Sequence, residues 1–309
     1  MTLGVDVSKD FLVTSDPKGK MGNIPNSKEA VIDMLRSLEP GSTVAMEATG
    51  RYHKTLANMA FSQGFRTIVF NPKDVLHFAR STSPRAKTDR VDAKVIARFA
   101  LAKDDHIPYQ PTPEIADNLK NLVRTRRSLV DSRTSFENQL SECPQAADYL
   151  KPAIDGLAAS IAKLDRELAS LAGTLPEHGL LIEIPGIGPL TSAYSLGLLQ
   201  SGVFHTSDSF VAFIGLDIKV KESGKKVGRA CLSKRGDPEA RRLLFLAACA
   251  AVRGPGPFRE LYLRYQKHGL SKTAAIVAVA RKLARTIWAI YGKKHPYRPE
   301  RVLSQGGQA

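Results

Sequence analysis

Four carboxylates stand where their residue types could do chemistry: Asp6, Glu47, Asp89 and Asp92. Asp6 interrupts the β-branched run TLGVDVS, and strands are depleted in aspartate. Glu47 ends a second apolar run, STVAMEA, just before ATGRYH. Asp89 and Asp92 are three residues apart in KTDRVDAKVIARFA, so on a helix they share one face. Strand ends and a helix can converge on one point of an α/β sheet. Four carboxylates meeting there would repel one another unless cations neutralised them. Hard divalent ions such as Mg²⁺ suit carboxylate oxygens, and two of them can clamp the attacking and leaving oxygens of a phosphodiester. Lys87 precedes the aspartates, Arg90 lies between them, and both would face the phosphates. Simpler readings stand beside this one. Asp89 could cap a helix N-terminus, and Glu47 could pair with Arg51.

A second candidate lies in GKKVGRACLSKRGDPEARRLL, residues 224–244. Asp237 followed by Pro238 reads as an N-cap and first helical position. Ser233 therefore sits in a basic loop just ahead of a helix. Lys225, Lys226, Arg229, Lys234, Arg235, Arg241 and Arg242 surround it and suit a phosphate backbone. A serine hydroxyl becomes a nucleophile only when something takes its proton or lowers its pKa. The alternative is that Ser233 makes a turn or touches a phosphate. Cys231 is a weaker nucleophile candidate. In PGIGPLTSA, Gly186 and Gly188 would let backbone N–H groups approach a phosphate, as in helix-hairpin-helix modules; a plain turn between helices is the other reading. The histidines have no metal-ligand spacing, although His53 and His77 lie near the acidic motifs in sequence.

The elements that must position these groups follow from periodicity. Three strand signals, then alternating helix and strand signals, fill the first hundred residues and predict a mixed sheet in an α/β sandwich. Ser27 is the expected N-cap of the first helix and Gly64 the stop of the second. Residues 112–175 differ. Ile115, Leu119, Leu122, Arg126, Leu129, Arg133, Phe136 and Leu140 form one seam, broken by two arginines. Ile154, Leu157, Ile161, Leu164, Leu168, Leu171 and Leu175 form a cleaner one, with a/d spacing. They predict a long antiparallel helical hairpin that packs within the chain or also builds an oligomer. Beyond residue 180 the chain reads as helical, Trp288 as core or as a base-stacking platform, and the stretch from Lys293 as a frayed tail.

The bulk numbers restrict the partner. The 309 residues carry 45 Lys and Arg against 30 Asp and Glu, a net charge of +15. Such an excess points to a polyanion, nucleic acid or an acidic membrane surface. Residues 1–110 hold 16 basic and 12 acidic residues, the rest 29 and 18, so the later part would hold the polyanion. No apolar run reaches the roughly 18 residues of a membrane span. No signal-peptide pattern opens the chain, and three widely spaced cysteines suit a cytoplasmic protein with free thiols.

In order, GVDVSK, AMEATGRYH, KTDRVDAKVIARF, IPGIGPLTS and LSKRGDPEARRLL resemble the DEDD transposases of bacterial insertion sequences. The likeness runs from residue 3 to about residue 292. It implies an RNase H-like domain similar to that of RuvC, the Holliday-junction resolvase, over residues 1–110. A coiled-coil segment over 111–178 and a mostly helical C-terminal transposase domain over 179–292 would follow, then a flexible tail over 293–309. Motif by motif, Asp6, Glu47, Asp89 and Asp92 fall on the family's acidic tetrad and Ser233 on its nucleophilic serine. The resemblance further implies one or two Mg²⁺ ions, donor and target DNA as substrates, a bridging guide RNA, and a dimer or tetramer of the chain. A junction-resolving nuclease that hydrolyses with water, or an inactive nucleic-acid scaffold, are the competing functions.

Overall fold

The structure is a computed structural model that describes residues 1–50, 52–82, 89–102, 106–219, 222–223, 226–227 and 231–304; the side chains of 89–91, 222, 223, 226, 227 and 304 lie outside that description. The chain divides into two compact units, Met1–Pro111 and Thr112–Ala309.

The first unit is built on a five-stranded sheet. Its strands are β1 (Thr2–Val7), β2 (Phe11–Ser15), β3 (Met21–Pro25), β4 (Thr43–Glu47) and β5 (Arg66–Phe70), in the order β3-β2-β1-β4-β5. β1, β2 and β3 pair antiparallel, whereas β4 runs parallel to β1 and β5 parallel to β4. Helices α1 (Lys28–Arg36) and α2 (His53–Ser62) cover one face, and α3 (Pro72–Thr82) and α4 (Asp89–Ala102) the other. Ser27 caps α1, its hydroxyl accepting from the Ala30 amide. Alternation assigns the strand residues to faces. Leu3, Val5, Val7, Val44 and Met46 pack beneath α1 and α2, while Ala45 joins Val95, Ile96 and Ala100 of α4. Gly4, Asp6 and Glu47 therefore point to the α4 side.

Gly4 decides how closely α4 can sit. A Cβ at this position would overlap the carbonyl oxygen of Ala93 and lie 2.5 Å from the amide nitrogen of Ala97. The helix backbone thus rests directly on β1 because the strand offers no side chain there. Gly4→Ala is expected to destabilise the chain by about 1–3 kcal/mol or more and to lift the start of α4 from the strand. Thermal unfolding together with amide exchange of α4 checks this; an unchanged melting curve refutes it.

The second unit begins with the expected hairpin. α5 (Glu114–Glu142) and α6 (Ala147–Gly173) are joined by a short 3₁₀ turn at Pro144–Ala146 and run back along one another. Each residue of both seams is buried or half-buried. Arg126, which interrupts the first seam, reaches Asp165 across the hairpin with two bonds of 2.5 and 3.0 Å. The hairpin base joins the main core. There Leu119, Val123, Leu168 and Ala172 pack with α7 (Pro176–Ile182), α8 (Pro189–Leu199) and α9 (Ser207–Phe213). After four two-residue strands, β6 (Ile218–Lys219), β7 (Glu222–Ser223), β8 (Lys226–Val227) and β9 (Cys231–Leu232), come α10 (Pro238–Ala251), α11 (Pro257–Lys267), α12 (Lys272–Lys293) and α13 (Glu300–Ser304). Part of the stretch expected to fray is packed. Tyr297 stacks on Phe258 with ring centroids 6.3 Å apart, and Val302 is buried. Residues 305–309 lie outside the described residues.

Candidate functional site

The parallel register of β1 and β4 pairs Val5 with Met46, so continuing it by one residue sets Asp6 beside Glu47. Adjacent strands lie about 4.8 Å apart, and both side chains face α4, which brings Asp92. Glu47 is half-buried, and its carboxyl is pushed above the ordinary glutamate range, first by burial and then by the negative charges of Asp6 and Asp92. Three of the four predicted carboxylates are therefore electrostatic neighbours, drawn from two strands and a helix. Asp89 begins α4, one turn ahead of Asp92; its side chain, that of Arg90 and all of Lys87 lie outside the described residues. Among the described residues no three His, Cys, Asp or Glu side chains are gathered tightly enough to hold a metal ion. The donor set nonetheless suits a hard divalent cation. It is all oxygen, half-buried, and strained by its own charge in a way that a cation would relieve.

His53 opens α2 and is buried, with burial pushing its imidazole pKa down. The carbonyls of Thr49 and Gly50 oppose that shift and Lys54 adds to it. His77 is exposed on α3.

In the second unit, the loop around Ser233 is held from several sides. β6 and β9 pair Ile218 with Leu232, and one step further sets Ser233 opposite Asp217. The Ser233 amide donates to the Asp217 carbonyl at 2.9 Å, and the Ser233 hydroxyl donates to the Asp217 carboxylate. Asp217 is the residue that sequence reasoning missed. Its partner lies 16 positions away across a stretch with no strong strand pattern, and only the register joins them. Lys234 adopts a left-handed backbone with φ of 53°, and Gly236 is pressed against Phe213, Ile214 and Gly215, where a Cβ would collide with main chain. Arg281 of α12 is half-buried; burial and Arg285 depress its pKa, while Tyr265, Asp208 and Asp217 oppose that shift.

Helix α10 starts as the sequence implies. Asp237 accepts from the amides of Glu239 and Ala240 at 2.9 and 3.0 Å, with Pro238 at the first position. The same carboxylate accepts the Tyr194 hydroxyl of α8 and the Arg124 guanidinium of α5, the latter at 2.7 Å. Tyr194 is 1% exposed. The predicted basic residues then separate by role. Lys234 and Arg235 are exposed beside Ser233. Arg241 turns inward and donates to the carbonyls of Ile214 and Gly236 at 3.1 and 2.8 Å, so it braces the loop. Arg242 pairs with Glu239 through two bonds. Lys225 and Arg229, and the side chain of Lys226, lie outside the described residues.

Gly186 has φ of 86°, and a Cβ there would overlap the Ala247 carbonyl and lie 2.9 Å from the Ala251 Cβ. Its lack of a side chain is thus required by packing on α10. Gly188 is the N-cap of α8 and faces open space. A cavity of about 340 Å³ brings Gly186 and Arg242 together with Arg126 and Arg127 of α5.

Comparison with known proteins agrees with this architecture. Residues 3–145 match the DEDD-type transposase family of IS110, described as "Transposase", and residues 178–263 match the "Transposase IS116/IS110/IS902 family". The "Pilin gene-inverting protein" of Moraxella lacunata is 29% identical over 263 residues, which cover 82% of this chain and 80% of that protein. The "Transposase for insertion sequence element IS1111A" of Coxiella burnetii is 29% identical over 344 aligned positions, covering 96% and 91%. The "Probable family 20 transposase" of Pseudomonas aeruginosa is 26% identical, covering 87% and 89%. With both halves of the chain matched and the acidic residues of β1, β4 and α4 set as neighbours, this chain belongs to the DEDD transposases of the IS110/IS116/IS902 insertion-sequence family.

Proposed function

We propose that this transposase cuts and rejoins DNA by phosphoryl transfer through a serine intermediate. Asp6, Glu47, Asp89 and Asp92 hold one or two Mg²⁺ ions within an RNase H-like domain. Bound Mg²⁺ would supply charge stabilisation at the attacking and leaving oxygens of the phosphodiester. Asp217 accepts the proton of the Ser233 hydroxyl, and the serine oxygen attacks phosphorus. The bond from phosphorus to the 3′ oxygen breaks, the 3′ oxygen takes a proton, and a 5′-phosphoserine link remains. A 3′-hydroxyl can later attack that link, free the serine and reseal the strand. Exposed Lys234 and Arg235 neutralise the phosphate charge beside the serine. Donor and target DNA are the substrates, a bridging RNA guides their pairing, and the chain works as a dimer or tetramer.

The observation that carries this reading is the juxtaposition of Asp6, Glu47 and Asp92, whose mutual repulsion favours a cation. Mixed oligomers test it. Asp6→Ala and Ser233→Ala proteins are each expected to be inactive in strand exchange on donor and target DNA with Mg²⁺. If carboxylates and serine of different protomers serve one phosphodiester, mixing the two restores part of the activity. Activity in either variant alone overturns the assignment.

A further inference from the structure

A second basic cavity lies in the C-terminal unit, beside Trp288 and the packed stretch after Lys293. It measures about 190 Å³ and forms where α12 meets the packed stretch that follows it. Lys282, Arg285 and Lys293 of α12 line it from one side, Arg298 and Arg301 from the other. Among the described residues no carboxylate lines it. Asp208, just outside, pairs with Arg285 at 2.8 Å. Five cations around so small a space repel one another. The ammonium of Lys282 is pushed down by burial and then by the charge of Arg285.

Two aromatic residues complete the wall. Trp288 donates its indole N–H to the Phe204 carbonyl at 3.0 Å, so its ring is pinned and its one donor is used. What it offers the cavity is ring surface. Tyr297 is fixed by its stack on Phe258, and its hydroxyl is buried with no hydrogen-bond partner. Burial, then Glu300, pushes that phenol up to about 12. It stays protonated and ready to donate, and an unpartnered buried donor is unfavourable until an acceptor arrives.

We infer that this cavity binds a phosphodiester of single-stranded nucleic acid, with the phosphate among Lys282, Lys293, Arg298 and Arg301 and the adjoining base or sugar against Trp288. A volume below the roughly 300 Å³ of whole small-molecule pockets suits one phosphate and part of its neighbour. An aromatic wall beside cations is how unpaired strands are held, because only an unstacked base presents its face. A duplex keeps its bases stacked inside and would touch only the rim. The inference uses the proposed function solely to select nucleic acid among polyanions, and its test requires no strand transfer.

Trp288 is the sole tryptophan of the chain, so its fluorescence reports this cavity alone. Full-length protein is titrated in EDTA with a short single-stranded oligonucleotide, its blunt duplex, and inorganic phosphate. The single strand is expected to change the emission saturably, with the duplex and phosphate much weaker. Arg298 and Arg301 are both exposed, so Arg298→Ala with Arg301→Ala leaves the fold intact. That variant should lose about tenfold in affinity by this signal. Its log–log salt slope should fall by about 0.7, the value for one phosphate contact on a single strand. A silent tryptophan, equal responses to duplex or free phosphate, or unchanged affinity in the double variant each overturns the inference. Failure here with an intact serine–DNA adduct leaves the proposed function standing; loss of the adduct with this binding retained does the reverse.

Discussion

Alanine at position 233 is expected to eliminate any protein–DNA adduct that survives denaturation, and to lower strand exchange by about 10³-fold or more. The hydroxyl is the group that would become bonded to phosphorus, so no neighbour replaces it. Cys231 is exposed and nearby in sequence, but it sits two residues back on a strand, and it is Ser233 whose hydroxyl lies on Asp217. Asp217→Asn separates the roles within this pair. The amide keeps a hydrogen bond to the hydroxyl yet cannot take its proton, so the adduct should still form, about 10²- to 10⁴-fold more slowly. Raising the pH should recover part of that loss, because more serine is then ionised without help. Denaturing gels of labelled DNA, run across a pH series, read both variants. Adduct formation by Ser233→Ala at the normal rate would remove the serine from the mechanism.

The acidic cluster carries the second large effect, and it has opposite signs for activity and stability. Glu47→Gln is expected to reduce Mg²⁺-dependent strand exchange by about 10³-fold or more. The same change should stabilise the chain when divalent ions are removed. Burial and the charges of Asp6 and Asp92 hold the Glu47 carboxyl above its ordinary value of 4.5, so the folded state binds that proton more tightly than the unfolded state. The stability tied to this proton is complete below that ordinary value and is lost as pH rises through the elevated one. In EDTA the melting temperature of the unaltered chain should therefore fall over that window, and Glu47→Gln should flatten the fall. Adding Mg²⁺ near neutral pH should raise the melting temperature of the unaltered chain far more than that of the variant. An equal response in both would mean that Glu47 does not bear on the ion. Calorimetry with and without the metal decides it.

Much of this arrangement was legible from residue order because it rests on local signals. The alternation in TLGVDVS and STVAMEA marks β1 and β4, and it also places Asp6 and Glu47 on a common face once the strands lie parallel. Ser27, and Asp237 with Pro238, mark helix starts through short-range capping, which leaves a local imprint. The first seam survives its two arginines because Arg126 finds Asp165 across the hairpin and Arg133 pairs with Glu137 on its own helix. What could not be read was non-local. Asp217 meets Ser233 through a two-residue ladder that has no periodicity to detect. Gly186 suggested a phosphate contact, yet its neighbours are the backbone and methyl group of α10. Arg241 looked like its basic neighbours, and only the direction of its guanidinium makes it a brace. The stretch after Lys293 has a polar composition, but a single buried valine and a stacked tyrosine hold it down.

The Asp237 corner has a consequence for how these sequences can diverge. One carboxylate ends α10, receives Tyr194 and receives Arg124. Changing it alone strands a buried phenol, at about 1–3 kcal/mol, and strips the cap from the helix that follows the serine loop. Changing the tyrosine alone leaves a hole in the core beneath that cap. A single change at the tyrosine or the aspartate is therefore expected to cost stability that a matched change at its partner would return, which couples residues separated by 70 and 43 positions.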